Sequence, residues 1–174
     1  MRTRTPIHFL PLFVLVLCIP SHVLASTDVT DDITADTEWT TSGSPYVVSF
    51  ADNDAYFQRF LRVPSGITLT IDPGVVVKFA AYNGMEIGGT LRAEGTADNP
   101  IIFTSLQDDT AGGDTNADGT ATTPTDEQWM HLQFSSGSSG TFDHAIVRYG
   151  GARLIFVVNT GIENFGGTLV IDHT

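Results

Sequence analysis

One short phrase returns along this chain: glycine, one residue, a large apolar residue, one residue, and a second apolar residue. It reads Gly66-Ile67-Thr68-Leu69 with a slip of one, Gly89-Thr90-Leu91-Arg92-Ala93, Gly140-Thr141-Phe142, and Gly167-Thr168-Leu169-Val170-Ile171. The steps between the glycines are 23, 51 and 27 residues, and the middle step falls to 30 once an acidic run of 21 residues is set aside. A period in the twenties, built of short strands and glycine corners, predicts a parallel β-solenoid, in which no coil can bury its inner face without a neighbour. An antiparallel β-sandwich also has short strands and Gly/Pro turns, but it requires no recurring phrase.

The segments between the corners support strands. Tyr46-Val47-Val48, Ile67 to Ile71, Val75 to Phe79 and Ile101 to Thr104 are rich in β-branched and aromatic residues and are bounded by Gly, Pro, Asn or Asp. Strand alternation puts Leu69, Ile71, Leu91, Ala93, Leu169 and Ile171 inward. It puts Thr68, Thr70, Thr90, Arg92, Thr168 and Val170 outward. Only residues 54–62, with Phe57, Phe60 and Leu61, suit a turn or two of helix, and a strand fits them nearly as well. Pro73-Gly74 sets a tight corner, Gly88-Gly89 and Gly150-Gly151 suit close approach of neighbouring coils, and Asn99-Pro100 can open a strand without losing a ladder donor.

Residues 1–25 read as a secretory signal peptide: Arg2 and Arg4, an apolar run from Ile7 to Ile19, then Val23-Leu24-Ala25 at a cleavage site. Cys18 lacks the small residue before it that lipidation needs, and it leaves with the leader. Residues 26–38 are polar and acidic and read as a flexible lead-in, 39–65 as an N-terminal capping segment, and 66–174 as coils with an insertion at 107–127. Without Arg2 and Arg4 the chain keeps six basic and 20 acidic residues, a net charge of −14. Such a surface repels nucleic acid and anionic lipid and attracts cations. No second apolar run of spanning length follows, so no membrane insertion is expected after the leader is removed. The expected location is extracellular or at the cell surface.

Several phrases carry a resemblance. Trp39 with Ser44-Pro45-Tyr46-Val47-Val48, and Leu69-Thr70-Ile71-Asp72-Pro73-Gly74-Val75-Val76-Val77-Lys78-Phe79, resemble the N-terminal segment of bacterial secreted right-handed parallel β-helix proteins of the pectin-lyase-like superfamily. Gly89 to Thr96, Asn99 to Ser105, Gly112 to Gly119 and Arg148-Tyr149-Gly150-Gly151 are similar to further phrases of that group. The resemblance covers roughly residues 39–174. It implies an all-β fold, a right-handed parallel β-helix, and export; counted along the chain, the strand phrases make about four coils. It does not fix an activity, because the superfamily spans lyases, hydrolases, adhesins and structural surface proteins. Asp172-His173-Thr174 follow directly on a strand phrase, so a pairing-competent edge is expected there, to be met by further coils or by a partner.

The insertion carries the sharpest motif. Asp114, Asn116, Asp118 and Gly119 fill positions 1, 3, 5 and 6 of a calcium loop; Thr120 offers a backbone carbonyl at position 7, and Thr122 a hydroxyl or a water at position 9. Position 12 is Thr125, so Asp126 or Glu127 must supply the closing carboxylate. Asp108 and Asp109 are possible extra ligands. The alternative is an acidic, hydrated loop, but a 21-residue loop with nothing to fix it carries a large ordering cost. Calcium is therefore the expected cofactor.

No catalytic residue is assigned. The family's lyases resemble one another in using carboxylate-bound calcium with an Arg or Lys base, but no lyase motif matches here. Of the basic residues, Arg59, Arg62, Lys78, Arg92, Arg148 and Arg153, Lys78 and Arg148 lie in strand phrases and read as facing solvent. Asp143 and Asp172 on successive coils would suit a pair of glycosidase acids, an arrangement that 20 acids also produce by chance. His131, His144 and His173 lack metal-ligand spacing and read as outward or hydrogen-bonded residues. Trp129, Phe134, Phe142, Tyr149 and Phe156 read as core rather than as a sugar-stacking strip. The expected role is a surface scaffold or adhesion segment with polysaccharide or cell-surface glycan as partner, and the competing role is part of a polysaccharide-active enzyme or a carbohydrate-binding module.

Overall fold

The computed structural model describes residues 25–51, 59–152 and 161–174. The leader reading at 1–24, and Phe57, Arg153 and Phe156, lie outside them. The described chain is all-β, with one 3-10 turn at Thr41–Gly43 and no α-helix. The strands are β1 (Thr27–Val29), β2 (Thr37–Trp39), β3 (Tyr46–Val48), β4 (Arg59–Val63), β5 (Thr68–Ile71), β6 (Val76–Phe79) and β7 (Asn83–Ile87). They continue as β8 (Thr90–Glu94), β9 (Ile101–Ser105), β10 (Leu132–Phe134), β11 (Ser139–Asp143), β12 (Ala145–Val147), β13 (Ile162–Asn164) and β14 (Thr168–Asp172).

These strands form three sheets, ordered β1-β3-β6-β9-β12, β2-β5-β8-β11-β14 and β4-β7-β10-β13. Every ladder is parallel. From β2 onward each strand pairs with the third strand after it, so the chain visits the three sheets in rotation, an arrangement compatible with a parallel β-solenoid. The recurring phrase explains the register. Leu69, Leu91, Gly140 and Leu169 align across β5, β8, β11 and β14, and so do Ile71, Ala93, Phe142 and Ile171. Leu69, Ile71, Leu91, Ala93 and Phe142 are buried in one core cluster. Where β8 presents Leu91 and Ala93, β11 presents Gly140 and Phe142. A Cβ on Gly140 would lie 2.4 Å from the Phe134 ring, so the small residue leaves the space that an aromatic neighbour fills.

The alternation fails at β14. Ile171 is 52% exposed and Leu169 only half-buried. β14 is ladder-paired only to β11 among the described strands, so its inner face has core on one side only.

Two other segments differ from expectation. Residues 26–38, read from their polarity as a flexible lead-in, contain β1 and most of β2. Their acids serve as strand caps: Asp32 Oδ1 accepts the Arg62 N–H at 3.0 Å and Asp36 Oδ1 the Thr68 N–H at 2.8 Å, while Ile33 is buried in the core. The described part of the helix-or-strand stretch, from Arg59 onward, is strand β4. Among the described residues no helix is long and apolar enough to cross a membrane.

Candidate metal centre

The connection from β9 to β10 holds the acidic run, and it lies across the outer face of the first sheet. Val47, Lys78 and Thr104 align across β3, β6 and β9. Strand alternation points Lys78 away from the core, where solvent was expected. Instead it is fully buried beneath the loop. Its Nζ donates to the Gly113 carbonyl at 2.5 Å and to Thr115 Oγ1 at 3.0 Å. Burial pushes the Lys78 pKa down, against the opposing pull of Asp108, Asp109 and Asp114.

A second anchor is Asp108, also fully buried. Its carboxylate accepts from the Thr104 hydroxyl at 2.6 Å, the Thr110 hydroxyl at 2.6 Å and the Thr110 N–H at 3.1 Å, and it pairs with Arg148 Nη2 at 2.5 Å. Burial works to raise its pKa, but the hydroxyl bonds and Arg148 outweigh it and hold the carboxyl below the usual range. Arg148, read as solvent-facing, is thus tied to the loop from the end of β12. Asp108 is spent on these bonds.

Beyond the anchors the loop curls on itself. Asp114 accepts the backbone N–H groups of Asp118 at 3.2 Å and Gly119 at 2.8 Å. Asp118 Oδ2 accepts from Asn116 Nδ2 at 2.8 Å and from the Thr122 hydroxyl. The Thr122 hydroxyl bond leads in holding the Asp118 pKa below the carboxylate range. Gly112, Gly113 and Gly119 all have positive φ, which lets the chain make these turns.

The expected ligands Asp114, Asn116 and Asp118 therefore come together, and the Thr122 hydroxyl joins them. The third carboxylate of the group is Asp109. One oxygen from each of Asp109, Asp114 and Asp118 lies within 4.8 Å of the others. Thr120, Asp126 and Glu127 are exposed, and neither of these two acids belongs to this group. Asp109 Oδ1, Asn116 Oδ1 and Asp118 Oδ1 are buried and have no hydrogen-bond partner. A buried oxygen without a donor costs about 1–3 kcal/mol. Oxygen donors of this kind, beside mutually repelling carboxylates, are the chemistry a hard cation takes.

The residues weighed for catalysis fall elsewhere. Asp143 and Asp172 are cross-strand partners on β11 and β14, and both contact histidines. Asp72, Arg92 and Glu94 line a shallow open groove with Thr70, Ile71 and Pro73. His131 is buried, 3.6 Å from Glu163. Trp129, Phe134 and Phe142 are fully buried and Tyr149 packs against the core, so they form no exposed strip; Trp129 stacks on Phe79 at 4.3 Å. Sequence reading missed Lys78 as an anchor, since strand alternation points it outward and cannot show the loop that covers it. No family model, curated protein or solved structure matches the chain.

Proposed function

We propose that the chain is a secreted scaffold or adhesion segment built as a right-handed parallel β-helix of about four coils, in the manner of the pectin-lyase-like proteins it resembles, and stabilised by calcium in the 107–127 insertion. The observation that carries the metal reading is the set of three buried, partnerless oxygens on Asp109, Asn116 and Asp118, next to Asp114. Calcium would satisfy them and offset the repulsion of three carboxylates, with Thr120 O and Asp126 or Glu127 completing the shell if the loop closes. The role follows from the anchors. Lys78, Asp108 and Arg148 tie the loop to β6, β9 and the end of β12, so ordering the loop stiffens three neighbouring strands. A stiff rod with long lateral faces suits display of a binding surface for glycans.

Calorimetric titration of the chelator-treated protein with calcium tests the metal. Saturable binding with a rise in melting temperature is expected, and Asp118→Asn should weaken it by at least about tenfold, the scale of one lost carboxylate ligand. No heat and no thermal shift at millimolar calcium would reject it.

A second reading, a polysaccharide-active enzyme or carbohydrate-binding module, draws on the groove with Asp72, Arg92 and Glu94. A screen on pectin, alginate and related glycans separates the two readings, because cleavage would overturn the scaffold role.

A further inference from the structure

An Asp-His dipeptide occurs twice, at 143–144 and 172–173, directly after two copies of the recurring phrase. Parallel stacking turns that repetition into contact. Asp143 and Asp172 are register partners across β11 and β14, so the histidines that follow them meet one strand spacing apart. Both leave their strands through a left-handed backbone, His144 at φ 44° and His173 at φ 46°. Their imidazoles stack with centroids 4.7 Å apart and planes 17° from parallel. Few non-glycine residues adopt this conformation, and here two adopt it at equivalent places.

Both rings aim the same nitrogen at one oxygen. His144 Nδ1 lies 2.7 Å and His173 Nδ1 3.1 Å from Asp143 Oδ1, and His173 Nδ1 is also 3.2 Å from Asp172 Oδ1. The three donor atoms of Asp143, His144 and His173 lie within 4.8 Å of one another. His144 Nδ1 is buried and, despite its short distance to Asp143, makes no well-aligned hydrogen bond. A dication would answer the Asp143 carboxylate with one centre and use the nitrogen lone pairs of both imidazoles.

We propose that Asp143, His144 and His173 bind a first-row transition-metal dication, zinc or copper(II), at a surface site distinct from the acidic loop. Donors about 2.0–2.2 Å from a tetrahedral metal stand about 3.3 Å apart; the two nitrogens lie 2.7 and 3.1 Å from Asp143 Oδ1, and the stacked rings must rotate out of parallel for both lone pairs to meet one ion. Two imidazoles and a carboxylate suit zinc and copper, whereas calcium takes an all-oxygen shell. A fourth position falls to Asp172 or to water. The site spans two adjacent strands, so the metal would fasten β14 to β11.

Zinc is the probe. The chelator-treated protein, held in millimolar calcium near neutral pH, is titrated with zinc by calorimetry. One zinc per chain is expected, with a higher melting temperature. His144→Asn and His173→Asn keep a residue that tolerates the left-handed backbone, and each should weaken zinc binding by at least about tenfold. Asp114→Asn, in the acidic loop, should leave zinc binding unchanged. The proposal is overturned if the protein takes up no zinc at sub-millimolar concentration. It is overturned equally if both histidine variants, shown to be folded by circular dichroism, bind zinc as the parent does, or if Asp114→Asn abolishes that binding.

Discussion

Asp108 shows how a single side chain can fix a long loop. Its buried carboxylate gathers Thr104 from β9, Thr110 from the loop and Arg148 from the end of β12. Asp108→Asn keeps the size but removes the charge that Arg148 faces and converts an acceptor into a donor toward two hydroxyls. A loss of about 2–4 kcal/mol is expected in urea unfolding, the range for breaking a buried charged hydrogen-bond network. The pH dependence has a definite sign. The folded pKa lies below the ordinary 3.8, so between those two values the unfolded chain binds the proton more tightly. The stabilisation from Asp108 is complete above about pH 4 and is lost as the pH falls through the depressed folded value. Melting temperatures from pH 7 down to pH 2.5 should show a smaller acid loss in Asp108→Asn than in the parent; identical profiles would show that Asp108 is not the titrating group.

At the scale of the element, corners decide how tightly successive strands stack, and two glycines separate two reasons for having no Cβ. Gly89 connects β7 to β8 with an ordinary backbone, but a Cβ there would sit 2.2 Å from the Ile67 carbonyl and 2.3 Å from the Pro64 carbonyl. Both obstacles are backbone, so Gly89→Ala must push the chain apart and should cost about 2–3 kcal/mol. Gly137 has open space around it but a φ of +83°. Gly137→Ala should cost about 1 kcal/mol, from left-handed strain alone. Chemical unfolding of the two variants gives the order, and equal losses would contradict the crowding at Gly89. The repeated phrase in the sequence marks Gly89 but says nothing about which atoms crowd it. Those atoms, on residues 64 and 67, belong to the turn before β5, one circuit of the three sheets earlier, and only stacking brings them there.

The whole molecule rests on columns of apolar side chains shared by neighbouring strands, so position along a column should set the cost of truncation. Leu91, fully buried on β8 between β5 and β11, should lose about 3 kcal/mol as Leu91→Ala. Ile171, at the equivalent of Ala93 but 52% exposed on β14, should lose no more than about 0.5 kcal/mol as Ile171→Ala. Urea unfolding compares them, and a large loss at Ile171 in the isolated protein would mean that its face is covered in solution. The proposed calcium acts on the same global equilibrium: at one hundred times its dissociation constant it should add about 2.7 kcal/mol. Much of this frame was legible beforehand. Because alternation and repeat length are local properties that survive in the linear chain, the recurring phrase pointed to the strand period, to parallel stacking over a sandwich, and to the inward column through Leu69, Ile71, Leu91 and Ala93, though not to its failure at Leu169 and Ile171. The spacing of Asp114, Asn116 and Asp118 likewise singled out the acidic loop. Only the tertiary structure decided that Asp109 stands with them, that Lys78 lies buried beneath the loop, that Asp32 and Asp36 cap strands, and that His144 and His173 stack. Each of these depends on which strand lies beside which, or on what a long connection covers, and side chains dozens of residues apart acquire their distances only when the sheets assemble.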